Sequence, residues 1–127
     1  MQDTAEGTLY RRLGGYDVIA AFVDQWLGLV LGDPQLAVYF KGMSNDTKGK
    51  ARQLIVDFFA ASLGGPTIYT GRSMLVLHDG LGISAGDYAA LVGHAATTLG
   101  ALGVGERETA DLLAWLDSLK AEIIAPG

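Results

Sequence analysis

GYDVIAAFVDQWLGLVLG, residues 15–32, is the stretch that decides the fold. Side chains spaced by three and four residues share one face of an α-helix. The apolar residues of this stretch fall in adjacent pairs four positions apart: Val18/Ile19, Phe22/Val23, Trp26/Leu27 and Val30/Leu31. The stretch therefore predicts a long helix, with a glycine at each end, that buries one face against the rest of the chain.

Further helices are predicted directly after it. Asp33 followed by Pro34 is typical of a helix N-cap and a first helical residue, so we expect a short helix that ends at Gly42. Residues 51–62 again carry apolar side chains at three and four spacing, before the glycines and proline that follow. Residues 74–78 have room for only one or two turns of helix, and they carry a histidine.

The C-terminal part of the chain predicts two longer helices. Ser84 with Asp87 three residues later resembles a weak capping box that opens a helix through Leu99. Glu106 favours the start of a last helix, whose apolar positions extend to Ile124. No strand alternation is found, so the chain is predicted to be all-α, with five or six helices around one core.

The amino-acid composition limits the class of protein to which this chain can belong. The 127 residues are 50% hydrophobic, which favours a single domain over 1–127 with a core from about 9 to 124. A net charge of −5 disfavours nucleic acid and anionic membranes as partners. Without cysteine there is no disulfide scaffold, thiolate metal site or cysteine nucleophile. No membrane-spanning or signal segment is apparent, so we expect a cytoplasmic protein.

The chain has two histidines, His78 and His94. A single histidine on an apolar helix face is more often an ordinary core or boundary residue than a ligand. One histidine cannot complete a zinc site without further protein ligands. Haem is the case in which one histidine suffices, because the porphyrin supplies the other four nitrogens.

A haem site also needs a slot of large apolar side chains. Candidates occur on several predicted helices: Phe40, Phe58, Phe59, Met74, Leu77, Ile83, Tyr88 and Leu91. Periodicity does not distinguish such residues from an ordinary core. A small helical interaction protein without a cofactor therefore remains an alternative at this point.

Several sequence stretches narrow that choice. They are LYRRLGG at 9–15, LVLGDPQLAVYFKG at 29–42, VDFFAASLGGPTIYTGRSM at 56–74, HDGLGI at 78–83, and the later pair Gly93-His94. In order and spacing they resemble the group I truncated haemoglobins, over residues 9 to 124. The resemblance implies a globin of two helices packed over two helices, enclosing haem b.

The resemblance also implies roles for individual residues. His78 matches the proximal iron ligand, Phe40 matches the phenylalanine that stacks on the haem, and Tyr69 and Met74 match the segment leading into the proximal helix. Other expected haem contacts are Leu54, Phe58, Phe59, Arg72, Leu77, Ile83, Tyr88 and Leu91. His94 is interpreted as structural.

The lysine and arginine residues near the expected haem contacts have two interpretations. They are either partners of the haem propionates or solvated surface charges. The residues concerned are Lys48, Lys50, Arg52 and Arg72.

The distal side departs from the better-known pattern of the family. Leu27 takes the position of a ligand-binding tyrosine and Ile55 that of a glutamine, with Ala51 and Leu54 beside it. Gln53 is expected to point away from the pocket. An apolar pocket lacks a hydrogen bond of about 1.5–3 kcal/mol to bound oxygen, so oxygen release is predicted to be roughly 10- to 100-fold faster. Carbon monoxide and nitric oxide are less affected.

Two details of the distal side stay open. A water molecule or the Tyr39 hydroxyl, if it enters the pocket, would supply the hydrogen-bond donor to bound oxygen that Leu27 and Ile55 lack. Since neither Leu54 nor Ala51 can ligate iron, the unliganded ferrous haem is expected to be five-coordinate.

The main functional hypothesis is reversible binding of oxygen, nitric oxide or carbon monoxide at iron held by His78. One alternative is a nitric oxide dioxygenase, which needs an electron-donating reductase. Another is a gas sensor that acts through a separate partner. A monomer or weak homodimer is expected.

Overall fold

The computed structural model describes residues 7–78 and 81–124, without the side chains of Val76 and Leu77. Leu77, which was expected to contact the haem, is therefore a residue whose side chain the structure does not describe. The helices are α1 (Leu9–Leu13), α2 (Tyr16–Gly32), α3 (Pro34–Ala37), a 3-10 turn (Val38–Phe40), α4 (Asn45–Ser62), α5 (Met74–His78), α6 (Ala85–Ala101), α7 (Glu106–Ser118) and α8 (Lys120–Ile123). No strand occurs in these residues, which confirms the all-α prediction.

Two layers of two helices build the fold. α2 packs against α4, α6 packs against α7, and α2 also contacts α6 across the layers. This is the expected two-over-two arrangement. The side chains between the layers include Val23 and Val56, which have no exposed surface, and Leu99 and Leu112, which are 1% exposed. The amphipathic stripe of residues 15–32 thus lies at the centre of the molecule.

The helix ends follow the predicted capping residues. Asp33 accepts a hydrogen bond from the backbone N–H of Gln35 (2.9 Å) in front of Pro34. Ser84 and Asp87 form the reciprocal capping box at the start of α6. These side chains satisfy backbone donors that have no partner inside the helix.

Some boundaries differ from the predictions. α4 begins at Asn45 rather than near residue 51, because Ser44 caps it by accepting from the Thr47 N–H (3.1 Å). The predicted last helix is broken at Leu119 into α7 and α8. The short helix α1 has no apolar stripe of its own and was not predicted from spacing.

Two glycines allow the chain to reverse between helices. Gly14 has φ +119°, and a Cβ there would lie 2.6 Å from Val18 Cγ2. Gly64 has φ +100°, and a Cβ there would lie 2.7 Å from Thr8 Cβ. Both the backbone angle and the space therefore require glycine. Tight turns at these positions keep α1 against the ends of α4 and α7.

Across residues 7–78 and 81–124, no helix has the length and apolarity that a membrane crossing requires.

Candidate functional site

A cavity of about 340 Å³ opens between α2, α4, α5 and α6, with α7 and α8 closing one side. Most of the residues predicted for the site line it. They are Leu27, Tyr39, Phe40, Ala51, Leu54, Ile55, Phe58, Phe59, Tyr69, Met74, His78, Ile83, Tyr88 and Leu91. Of the remaining predicted residues, Arg72 is exposed and does not line the cavity, and the Leu77 side chain is not described.

Sequence reasoning missed further lining residues. They are Trp26, Val30, Leu36, Met43, Leu81, Val92, Leu116, Leu119 and Ile123. Several continue apolar stripes that were assigned to the core. The last three lie on successive turns of the C-terminal helices, and this spacing was the available signal. A stripe that lines a cavity has the same spacing as one that packs in the core, so periodicity could not separate them.

His78 is the titratable side chain of greatest chemical interest in the cavity wall. It ends α5, and its Nδ1 lies 2.8 Å from the Met74 carbonyl oxygen one turn earlier. A carbonyl only accepts, so Nδ1 carries the proton and donates. In the neutral ring this leaves the lone pair on Nε2, which is the atom free to ligate a metal.

Other polar groups of the wall have their own partners. The Trp26 indole N–H donates to the Leu91 carbonyl (3.0 Å). The Tyr88 hydroxyl donates to the Leu116 carbonyl, and burial raises the pKa of Tyr88 to about 12. The Tyr69 hydroxyl donates to the backbone carbonyl of Arg72. Because these donors are engaged with the protein, the cavity presents mainly apolar surface.

Tyr39 has its hydroxyl fixed at the edge of the site. It donates to the carboxylate of Asp87 on α6, which also accepts from Gln35 Nε2 (2.8 Å). The hydrogen bonds from Tyr39 and Gln35 lower the pKa of Asp87, and the bond to Asp87 raises the pKa of Tyr39. The ring of Tyr39 thus lines the cavity while its donor is held by α6.

The face of α4 toward the cavity is apolar. Ala51 and Ile55 lie on it, whereas Gln53 donates to the Tyr16 hydroxyl (2.9 Å) and the Asp57 carboxylate (3.0 Å) outside the lining. Arg52 donates to both carboxylate oxygens of Asp24 on α2, at 2.7 and 3.0 Å. This bond is the main cause of the lowered pKa of Asp24.

His94 lies outside the cavity lining. Its Nε2 lies 2.8 Å from a carboxylate oxygen of Asp33, and this hydrogen bond is the main cause of the lowered pKa of Asp33. The pair joins α6 to the N-terminus of α3. Together with the contact between Tyr39 and Asp87, it fastens the segment that carries Phe40 to α6.

The chain matches the family model described as bacterial-like globin over residues 8–125. It is 38% identical over 117 residues to the group 1 truncated hemoglobin GlbN of Mycolicibacterium paratuberculosis, covering 91% of this chain and 83% of that protein. It is 31% identical over 100 residues to the group 1 truncated hemoglobin of Tetrahymena thermophila, covering 79% and 80%.

Solved structures agree with the sequence comparison. The truncated hemoglobin of Tetrahymena pyriformis in its Fe(III) form superposes with a TM-score of 0.85 at 26% identity, covering 94% of this chain and 99% of that one. The 2/2 hemoglobin of a Synechococcus species superposes with a TM-score of 0.81 at 24% identity, over 91% and 95%. At 24% identity, the similarity to the Synechococcus hemoglobin supports the fold alone.

Proposed function

The chain belongs to the bacterial-like globin family, and on this premise we propose that it binds haem b in the apolar cavity and a diatomic gas at the iron. The globin family implies the haem cofactor. Oxygen, nitric oxide and carbon monoxide are the proposed ligands. Ferrous haem iron supplies one open coordination position for such a gas.

The observation that carries the proposal is the position of His78. It lines the cavity, and its Nδ1–H is bound to the Met74 carbonyl (2.8 Å). This bond fixes the ring orientation and leaves Nε2 to ligate iron, as outer hydrogen bonds do for metal-bound histidines in general. The apolar wall, with Phe40, Phe58 and Tyr69, suits a flat macrocycle that must be kept from water.

We propose that the cavity wall formed by residues 7–78 and 81–124 leaves the gas without a hydrogen-bond donor. Leu27, Ala51 and Ile55 supply only hydrocarbon to the cavity. The Trp26 and Tyr39 donors are bound to Leu91 and Asp87. We therefore propose weak oxygen retention, with nitric oxide and carbon monoxide less affected.

The proposal also covers the coordination state of the ferrous iron and the partners of the haem propionates. No lining side chain on the α2 or α4 walls carries a group that commonly ligates ferrous iron from the distal side, which supports a five-coordinate ferrous state. Among the cations named for the haem propionates, Arg52 is bound to Asp24, so Lys48, Lys50 and Arg72 are the more suitable partners.

The test is haem binding by wild type and by His78→Ala, with His94→Ala as the matched histidine control. Wild type and His94→Ala are expected to show a Soret band at equal haem stoichiometry and a five-coordinate ferrous spectrum. His78→Ala should lose the band or regain it only with added imidazole. An unchanged Soret band in His78→Ala, or a six-coordinate low-spin ferrous wild type, would contradict the assignment.

A further inference from the structure

Aromatic rings form a continuous set of contacts from the cavity wall to helix α7. Phe58 packs against Tyr69 and Trp115, with ring centroids 5.2 and 5.7 Å apart. Phe59 packs against Trp115 at 4.9 Å and against Trp26 at 5.7 Å. These separations are typical of aromatic side chains in contact. Trp115 is the member of this set that does not line the cavity, and it lies one ring away from it through either phenylalanine.

The indole of Trp115 also reaches the protein surface. Trp115 is half-buried on α7, and its N–H has no acceptor among residues 7–78 and 81–124. In that part of the chain, the buried side-chain nitrogen and oxygen atoms without a partner are limited to Arg12 Nε. The unbonded Trp115 nitrogen is therefore accessible to water. One face of this side chain thus contacts the cavity lining while its N–H meets solvent.

A tryptophan in this position is suited to give up an electron. An indole that has lost an electron readily releases its N–H proton, and water beside Trp115 can accept it. The Trp26 N–H is instead bonded to the Leu91 carbonyl, and the Tyr69 hydroxyl to the Arg72 carbonyl. A backbone carbonyl accepts a hydrogen bond but is too weak a base to keep the proton. Among the oxidisable rings of the contact set, Trp115 is thus the one whose proton has an outlet.

Hydrogen peroxide is the oxidant that such a site would meet. The inference rests on the proposed function, in which oxygen binds at ferrous iron beside a wall without a hydrogen-bond donor. Oxygen that leaves with an electron from the iron is superoxide, and two superoxide ions with two protons give oxygen and hydrogen peroxide. Leu27, Ala51 and Ile55 have no group that moves a proton at the peroxide, so we expect its cleavage to be slow.

We propose that the haem-loaded protein reduces hydrogen peroxide and that Trp115 supplies one of the electrons. Hydrogen peroxide takes up two electrons and two protons and becomes two molecules of water. One electron comes from the haem group, and the other comes from Trp115 through the ring of Phe58 or Phe59. The indole proton passes to water, which also supplies the protons that the peroxide takes up. A neutral indolyl radical is left on α7, so the oxidising equivalent is moved out of the cavity to the surface.

Capture of the radical tests the proposal. The ferric, haem-loaded protein is mixed with an equimolar amount of hydrogen peroxide and a nitrosoalkane spin trap, and the tryptic peptides are sequenced by mass spectrometry. Trypsin separates the candidates, because Trp115 is the only aromatic residue of peptide 108–120 and the aromatic residues of the cavity wall fall in other peptides. For wild type we expect the trap on Trp115, and for the haem-free protein we expect no adduct.

Three variants separate an electron donor from a packing residue. Trp115→Phe keeps a ring against Phe58 and Phe59 but is hard to oxidise, so the adduct on peptide 108–120 should be lost. Trp115→Tyr restores an oxidisable ring and should regain it. Tyr16→Phe removes a phenol that is 38% exposed and forms no ring contact with the described aromatic side chains, so it should label as wild type does.

Two results would overturn the proposal. One is a wild type that consumes peroxide without any adduct on peptide 108–120, and the other is an adduct confined to Tyr39, whose hydroxyl donates to the Asp87 carboxylate. The Soret band and carbon monoxide binding of each variant are recorded in parallel. If both are normal while Trp115 stays unlabelled, the aromatic set is only packing and the proposed function stands. A wild type without a Soret band refutes the proposed function, and the role of Trp115 with it.

Discussion

Replacing Leu27 by tyrosine brings a hydroxyl to a cavity whose wall is otherwise apolar. Leu27 lies on α2, is half-buried and lines the cavity that is proposed to hold the haem. The other donors of the same wall are engaged, since the Trp26 indole bonds to Leu91 and the Tyr39 hydroxyl to Asp87. The new hydroxyl would therefore be the donor available to the gas.

The size of the effect follows from the type of hydrogen bond. Oxygen bound to ferrous iron draws negative charge, and hydrogen bonds to charged acceptors contribute about 1.5–3 kcal/mol. Leu27→Tyr is thus expected to slow oxygen dissociation by about 10- to 100-fold. Carbon monoxide, which is less polarised, should change by less than about tenfold.

The assay is stopped-flow replacement of oxygen by carbon monoxide, with carbon monoxide dissociation measured by nitric oxide displacement. Leu27→Phe is the matched control, because it adds the ring without the hydroxyl. Equal oxygen dissociation rates for the tyrosine and phenylalanine variants would refute the argument that the wall lacks a donor. Equal slowing of both gases by both variants would point to steric restriction instead.

Tyr88→Phe should lower the free energy of unfolding by about 0.5–1.5 kcal/mol in urea titrations, because the Leu116 carbonyl loses the hydrogen bond from the tyrosine hydroxyl but keeps the one from the Leu119 N–H (3.0 Å). The pKa of Tyr88 is raised to about 12 in the fold, so its contribution is complete below the unfolded value of 10.0 and is lost as pH rises through 12; the phenylalanine variant should lack this alkaline loss. Asp87 has a lowered pKa, chiefly through its bond from Tyr39, so its contribution is present above 3.8 and is lost as pH falls through the lower folded value. Asp87→Asn should make the thermal midpoint less sensitive to acid, and an unchanged acid dependence would contradict this role. Gly64→Ala should destabilise the fold by about 1–3 kcal/mol, because a Cβ would stand 2.7 Å from Thr8 Cβ at a φ of +100°. Gly49→Ala, in the second turn of α4 where a Cβ would meet nothing within 4 Å, should stabilise the fold by up to about 1 kcal/mol.

Helices with local signals were predictable. The spacing of Phe22 and Trp26 indicated α2, and Asp33, Ser84 and Asp87 cap helices as expected. These features depend on residues within one or two turns of each other. α1 was not predictable in this way, because it is held by distant partners, including the ion pair of Arg12 with Asp111 on α7.

The candidate site was less predictable from local sequence patterns than the helices were. Many of its wall residues, including His78, were named from the resemblance to a family rather than from periodicity. Trp26 and Leu116 were missed because an apolar residue beside a cavity and one inside a core satisfy the same helical spacing. Arg72 is exposed outside the lining, and its contact with the cofactor stays a prediction.

By itself the sequence determined where the main helices lie, that cysteine chemistry is absent, and that His78 belongs to a helix of only one or two turns. Only the tertiary structure decided which donors face the cavity. The hydroxyl of Tyr39 is bound to Asp87, 48 positions away, and the indole of Trp26 to Leu91, 65 positions away. Such partners are brought together by the packing of α2 and α3 on α6, and no local pattern in a sequence records which distant groups a packed interface will join.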